Sequence, residues 1–227
     1  MIRVLVADDQ SLIRAGLVTL FTAAPGFEIT GEAADGRQAV ELATHTAPDV
    51  ILMDIRMPIL DGIAATRELL AAPHGNRPQV IVFTTFDLDE YVYAALAAGA
   101  SGFLLKSTPA QRIITAVQAV VAGDMLLSPT VTRRLIEAYA HQHRTRAIAG
   151  PRMADLTPRE TEVLRLIGNG LTNAQIAQHL VMSEATAKTH VKRIMGKLGL
   201  SSRAQAVVAA YESGLITPSL PVDHRHA

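Results

Sequence analysis

Five polar residues stand at the ends of short apolar runs. Asp8 and Asp9 follow Ile2–Ala7, Asp54 follows Val50–Met53, Thr84 follows Val80–Phe83, and Lys106 follows Gly102–Leu105. If those runs are strands of one parallel sheet, their carboxyl ends share an edge, and the five groups meet there. Three carboxylates in one place repel unless a cation neutralises them. A donor set of oxygens without His or Cys favours Mg²⁺. A carboxylate beside Mg²⁺ can attack phosphorus and become an aspartyl-phosphate. The metal and an ammonium group would offset charge on the transferring phosphoryl group. Lys106 suits the ammonium role, and Thr84 can donate its hydroxyl to a phosphoryl oxygen. Each residue alone has a plainer use: Asp8-Asp9 can cap a following helix, and an Asp after an apolar strand is a common turn residue. The combination is what points to a site.

A second group of residues lies near the other end of the chain. Taken as a helix, Ser183–Lys197 places Ala187, Val191, Ile194 and Leu198 on one stripe and Lys188, Thr189, Lys192 and Arg193 opposite. A helix over about 173–180 precedes it, burying Ile176, Ala177 and Leu180, and the turn Val181-Met182 joins the two. That is helix-turn-helix spacing, whose second helix enters the major groove. By periodicity alone, the cationic face is equally a solvated surface.

These residues need elements to position them. Between the apolar runs, with Phe27–Ala33 as a further one, helical patterns fall near 11–23, 37–46, 62–71, 88–98 and 109–122. Alternation of this kind predicts an α/β fold, a five-stranded doubly wound parallel sheet with helices on both faces. Val50–Met53 and Val80–Phe83 are apolar throughout, as strands buried on both faces must be. Thr108-Pro109 predicts an N-cap and a proline at the first position of the last helix. After about residue 126 the strand signal stops. A helix is expected over 129–142 and a linker over 143–155, punctuated by Gly150-Pro151. Four short helices follow. Thr157-Pro158-Arg159-Glu160 reads as a capping box, and Thr172 with Gln175 and Ser202 with Gln205 repeat its logic. Gly170 and Gly199 suit helix C-terminal turns. The expected division is 1–125 for the α/β unit, 126–154 for a partly helical linker, 155–216 for a small all-α unit, and 217–227 for a flexible tail.

The formal net charge is zero, but it is unevenly spread. Residues 1–125 hold 8 Lys and Arg against 14 Asp and Glu, a net of −6, whereas residues 126–150 and 151–216 each carry a net of +3. An acidic module joined to a basic one suggests different partners for each. The chain has no cysteine, which excludes disulfides and thiolate metal sites. No run of 18 uncharged apolar residues appears, and MIRVLVADDQ reads as a strand rather than a leader, so a cytoplasmic location is expected. His224 and His226 fit a flexible tail better than a metal site, His190 fits packing or a backbone contact, and Met53 and Met57 fit core or turn positions.

The motifs ADDQ at 7–10, MDIRMPILDG at 53–62, VIVFTT at 80–85 and GASGFLLKS at 99–107 make residues 1–122 resemble a response-regulator receiver domain. The resemblance implies that Asp54 is the phosphoacceptor and that Asp8, Asp9, Asp54 and the backbone carbonyl of Arg56 hold Mg²⁺. Thr84 and Phe103 fall at the family's switch hydroxyl and switch aromatic, and Lys106 at its invariant lysine. Phe103 stands where many receivers have Tyr, and Ser107 where many have Pro, commonly after a cis bond. LTPRETEVLRLIGNGLTNAQIAQHL and SEATAKTHVKRIMGKLGLSSRAQAV make residues 155–216 resemble the LuxR-type DNA-binding domain. The whole resembles a two-component response regulator of the NarL/FixJ family.

That resemblance implies that Lys188, Thr189 and Lys192 face base edges or nearby phosphates. Thr172, Asn173, Thr186, Arg193 and Lys197 would touch the DNA backbone, and Val207, Ala210 and Tyr211 would form a dimer contact. It departs at Ala187, where the family often has Val, and at Gly196 inside the recognition helix. The implied partners are a sensor histidine kinase, promoter DNA and a second copy of the chain, with no membrane. An aspartyl-phosphate hydrolase is the enzymatic alternative, but such enzymes carry a second Asp two residues after the nucleophile, where Arg56 stands. Control is expected to run through the fourth helix, with Tyr91, Ala94, Ala95 and Ala98 as a dimer or interdomain face. Dimerisation and release of a masked DNA-binding unit both remain open.

Overall fold

The computed structural model describes residues 1–71, 77–85, 89–123, 153–200 and 202–216. Its first unit alternates β1 (Ile2–Ala7), α1 (Ser11–Ala23), β2 (Phe27–Ala33), α2 (Gly36–Thr46), β3 (Val50–Met53), α3 (Gly62–Ala71), β4 (Gln79–Thr84), α4 (Asp89–Ala97), β5 (Gly102–Leu105) and α5 (Ala110–Val121). The five strands are parallel in the order β2-β1-β3-β4-β5. The winding of the strand order therefore reverses between β1 and β3, and that is where open α/β sheets leave a crevice. Val4–Ala7, Val50–Met53 and Val80–Thr84 are fully buried, so the central strands pack helices on both faces.

Register carries the sheet into the site. Ala7 pairs with Met53, so Asp8 and Asp54 emerge side by side. The ladder continues beyond the strands: Asp54 N donates to Ala7 O at 2.8 Å, Asp8 N to Ala33 O at 3.0 Å, and Lys106 N to Thr84 O at 2.8 Å. The loop after β3 is equally fixed. Gly36 N donates to Leu60 O and Gly62 N to Ile55 O. These pins hold Ile59 at φ 66°, a left-handed conformation that a β-branched residue rarely adopts.

The second unit follows a short 3₁₀ turn (Met153–Asp155). It comprises α6 (Pro158–Gly168), α7 (Asn173–His179), α8 (Glu184–Leu198) and α9 (Arg203–Glu212). Thr157 and Thr172 close the expected capping boxes, while Ser183 and Ser202 accept from Thr186 N and Gln205 N. Gly199 ends α8 at φ 66°. Ile176, Ala187, Ile194 and Val207 meet in its core, and Gly168 lets α6 approach Ala210 closely.

The two units touch. α9 lies against α4, Gln205 Nε2 donates to Ala97 O at 3.1 Å, and Asn173 Nδ2 donates to Gly123 O at 3.3 Å. Ala95, Ala98 and Phe103 of the first unit join one apolar cluster with α9, and Tyr91 and Ala94 pack against it.

One expectation needs correction. Thr108 does not cap α5: Pro109 occupies the N-cap position with ψ 140°, an extended value, and no side chain caps the helix. Asp8 and Asp9 do not cap α1, whose N-cap is Gln10. The Lys106–Ser107 bond is trans, there being no cis bond among the described residues. The helix expected over 129–142, the tail beyond 216, and His224 and His226 lie outside the described residues. Among the described residues no helix is long and apolar enough to cross a membrane.

Two glycines separate steric need from conformational cost. A Cβ at Gly62 would overlap the Asp54 carbonyl oxygen, whereas one at Gly196 would meet nothing within 4 Å. Gly62→Ala is expected to destabilise the protein by about 1–3 kcal/mol. Gly196→Ala, within α8, is expected to stabilise it by up to about 1 kcal/mol. Chemical denaturation of the two variants against wild type measures both signs.

Candidate functional site

The strand ends bring together the residues that the sequence singled out. One carboxylate oxygen from each of Asp8, Asp9 and Asp54 lies within 4.8 Å of the others. Asp8 and Asp54 are buried, and Asp9 is exposed at the mouth. Lys106 Nζ sits between the two buried ones, 2.7 Å from Asp8 Oδ2 and 2.7 Å from Asp54 Oδ2. Backbone amides bind the other oxygens: Ile55 N donates to Asp54 Oδ1 at 2.7 Å and Gln10 N to Asp8 Oδ1 at 2.9 Å. Thr84 ends β4 fully buried, and Phe103, opposite Val82 on β5, is buried behind it.

Electrostatics follow from this crowding. Burial pushes the Asp8 carboxyl above its ordinary value, and the Lys106 hydrogen bond pulls it back only in part. For Lys106, burial acts downward, but the Asp54 and Asp8 carboxylates outweigh it and hold the ammonium above its usual range. The pocket keeps its lysine charged and carries a surplus of negative groups.

Beside the cluster lies a groove of about 930 Å³, lined by Asp9, Arg56, Asp61, Arg67 and Tyr91 among others. Arg56 Nη2 donates to Tyr91 Oη at 2.9 Å, and its guanidinium lies 5.5 Å from the Tyr91 ring centre. The loop after β3 is thereby tied to α4. Behind the cluster, Arg14 Nη1 donates to Asp8 O at 2.7 Å and to Asp9 O at 3.2 Å. Neither arginine side chain was singled out by sequence pattern. Arg14 carries a faint signal, a cation in the first turn of the helix that follows the acidic pair.

In the second unit, Lys188, Thr189, Lys192 and Arg193 are exposed along α8, opposite buried Ala187, Val191 and Ile194. Lys188 pairs with Glu184 at 2.9 Å, an exposed contact worth little. Thr172 and Thr186 are exposed at the helix starts. Asn173 is placed differently from the sequence expectation. It is buried, its Oδ1 accepting from Arg203 Nη1 at 2.7 Å while Nδ2 reaches Gly123 O. Val207 and Ala210 are fully buried within the chain and Tyr211 is half-buried.

The first unit matches the response regulator receiver domain family over residues 4–118, and the second matches the bacterial regulatory proteins of the luxR family over residues 154–210. Over 218 residues the chain is 39% identical to the Bacillus subtilis transcriptional regulatory protein YxjL, covering 95% of this chain and 97% of that one. The chain belongs to the two-component response regulators that carry a LuxR-type DNA-binding domain. Its other relatives include the Bacillus subtilis transcriptional regulatory protein LiaR, 39% identical over 95% of this chain and 100% of that protein. The Escherichia coli nitrate/nitrite response regulator NarL is 36% identical over 92% and 94%. Among solved structures, the response regulator ChrA of a heme-sensing two-component system superposes with a TM-score of 0.50 at 37% identity, covering 95% of this chain and 98% of that one. These relatives are regulators of transcription, not enzymes of metabolism.

In this response regulator one cation of the DNA-binding unit is engaged inside the fold. Lys197 Nζ donates to Glu160 Oε2 at 2.7 Å and to Asp155 O at 3.1 Å, tying the end of α8 to the start of α6. The Lys197 hydrogen bond, followed by that from Thr157 N, holds the buried Glu160 carboxyl down to about 2, against an ordinary 4.5. A carboxyl depressed in this way stabilises the fold fully above about pH 4.5, and the contribution fades as pH falls toward about 2. Wild type should therefore be more stable than Glu160→Gln near neutrality, with the gap closing through that acid window. Urea denaturation of both proteins across pH measures it; a gap independent of pH contradicts the assignment.

Proposed function

We propose that this response regulator accepts a phosphoryl group on Asp54 from a sensor histidine kinase and binds promoter DNA through α8, under control of that modification. The observation that carries the reading is the convergence of Asp8, Asp9, Asp54 and Lys106 at the β1/β3 crevice. The donors are hard carboxylate oxygens within 4.8 Å of one another, which suits Mg²⁺. Asp8, Asp9 and Asp54 would hold the ion, with the Arg56 carbonyl as a further ligand. Bound there, the ion would neutralise negative charge on the phosphoryl oxygens.

The chain's own residues do the rest. Ile55 N fixes one Asp54 oxygen and Lys106 the other, so the carboxylate is held in one orientation. As the Asp54 O–P bond forms, the P–N bond to the kinase histidine breaks and the imidazole leaves. Lys106 is close enough to pair with the new phosphoryl group, and Thr84 is placed to donate to it. No carboxylate stands at position 56 to activate water, so the phosphoaspartate persists long enough to signal. The groove beside Arg56 and Tyr91 gives the donor access.

On the DNA side, Lys188, Thr189 and Lys192 read base edges or adjacent phosphates, and Arg193 and Thr186 position the helix on the backbone. Thr172, Asn173 and Lys197 lie nearby; the internal bonds of Asn173 and Lys197 leave them a lesser share. The module boundaries near 125 and 155, and a cytoplasmic location beside the DNA, belong to the same reading.

Control runs through α4. Movement of Thr84 toward a phosphoryl group, with Phe103 filling behind it, would shift α4 and loosen α9, which packs on it. The α8 polar face stays exposed in the closed arrangement. The reading therefore favours control of pairing between chains, with α9 as the covered element, over concealment of the recognition helix.

Three outcomes are expected. With Mg²⁺ and acetyl phosphate, intact-mass spectrometry should show one phosphate on wild type, none on Asp54→Asn and less on Asp9→Ala; equal labelling of Asp54→Asn sinks the assignment. Phosphorylation should leave binding to a single half-site unchanged and strengthen binding to paired half-sites. Lys188→Ala and Lys192→Ala should each weaken single half-site binding by about 1–3 kcal/mol, and paired-site binding by about twice that. A rise in single half-site affinity on phosphorylation would instead point to a concealed recognition helix.

A further inference from the structure

The loop that presents Asp8 and Asp9 is held from behind by a side chain with no part in the phosphoryl chemistry above. Arg14 is the fourth residue of α1 and mostly buried, with 19% of its side chain exposed. Its Nη1 donates to two consecutive carbonyls, Asp8 O at 2.7 Å and Asp9 O at 3.2 Å. The same short stretch is tied elsewhere by its own amides: Asp8 N donates to Ala33 O, Gln10 N to the side-chain Oδ1 of Asp8, and Arg14 N to Gln10 O. Removing Arg14 would leave both carbonyls to water, free the Asp8–Asp9 peptide plane to turn, and leave the Asp9–Gln10 plane held only by the bond from Gln10 N to Asp8 Oδ1. The directions of the Asp8 and Asp9 side chains depend on those planes.

We infer that Arg14 is a positioning residue for Mg²⁺, clamping the Asp8 and Asp9 peptides so that both carboxylates face Asp54 before the ion arrives. This rests on the reading of the acidic cluster as a Mg²⁺ site. The geometry favours arginine over lysine. One guanidinium nitrogen spans two acceptors while Nε faces Glu32, and a lysine ammonium has no such fixed plane. The Glu32 contact is the weaker one: Nε lies 3.8 Å from Glu32 Oε2, and 48% of the Glu32 side chain is exposed. Exposed pairs of that length contribute little. Groups that orient metal ligands from outside typically change affinity by about 10–100-fold when lost.

The test is a Mg²⁺ titration of the full chain without phosphodonor, followed by amide NMR shifts at Asp8, Asp9, Gln10 and Asp54. Hydrogen exchange at the same amides is measured without metal. Wild type is expected to saturate. Arg14→Ala should bind Mg²⁺ about tenfold more weakly, with faster exchange at Asp9 and Gln10. Arg14→Lys should recover part of the affinity, and Glu32→Gln should stay within about twofold of wild type. Should Arg14→Ala fail to fold, the contrast between Arg14→Lys and Glu32→Gln decides. Wild-type affinity in both Arg14 variants overturns the clamp, and an equal loss in Glu32→Gln overturns it in favour of the ion pair. A wild-type protein whose amides ignore Mg²⁺ overturns the metal reading, and the clamp with it.

Discussion

Three carboxylates are held within 4.8 Å of one another, two of them buried, with the Lys106 ammonium between the buried pair. Left to themselves such groups would separate or take up protons. The fold prevents the separation. The parallel ladder fixes the exits of β1 and β3 side by side, Gly62 allows the following helix to close against the Asp54 carbonyl, and Ile55 N and Gln10 N bind the outward oxygens. The unresolved charge is therefore built in, and it suits the pocket to a cation.

The same constraint reaches the second unit through packing. The loop after β3 meets α4 through Arg56 and Tyr91, and α4 meets α9 through Ala97 and Gln205. Each contact is local, and together they form a continuous path from the acidic crevice to the DNA-binding unit. A path is not yet coupling; coupling requires that α4 have two arrangements whose balance both ends bias. The mixed composition of the α4–α9 contact, apolar residues with the Gln205–Ala97 hydrogen bond, suits a contact that opens and closes.

Much of this was legible in the sequence, for identifiable reasons. Central strands such as Val50–Met53 are apolar on both faces, so their limits are sharp, and the residue after each limit falls on the functional edge. Thr157 and Thr172 announce their helices because a capping box is a short-range device with fixed spacing. What escaped was long-range or doubly determined. The Arg14 bond to the Asp8 and Asp9 carbonyls uses backbone acceptors, which leave no trace in residue type. Asn173 and Lys197 have the chemistry of phosphate contacts, yet Arg203, Gly123 and Glu160 engage them, partners that only folding brings near. Val207 and Ala210, which the resemblance gives to a dimer contact, are buried within the chain, where Gly168 draws α6 close on one side and α4 lies against α9 on another. Thr108 has the right chemistry for a cap, but the extended ψ of Pro109 starts the helix one residue later.

Built-in repulsion has a direct thermodynamic signature. A ligand that binds the folded state raises its unfolding midpoint, and removing one surplus charge does the same without the ligand. The decisive measurement is the thermal unfolding of wild type and Asp9→Asn, each with and without millimolar Mg²⁺. The account predicts that Mg²⁺ raises the wild-type midpoint, and that Asp9→Asn is more stable than wild type without metal and gains less from it. A wild-type midpoint indifferent to Mg²⁺, or an equal gain in Asp9→Asn, would contradict it.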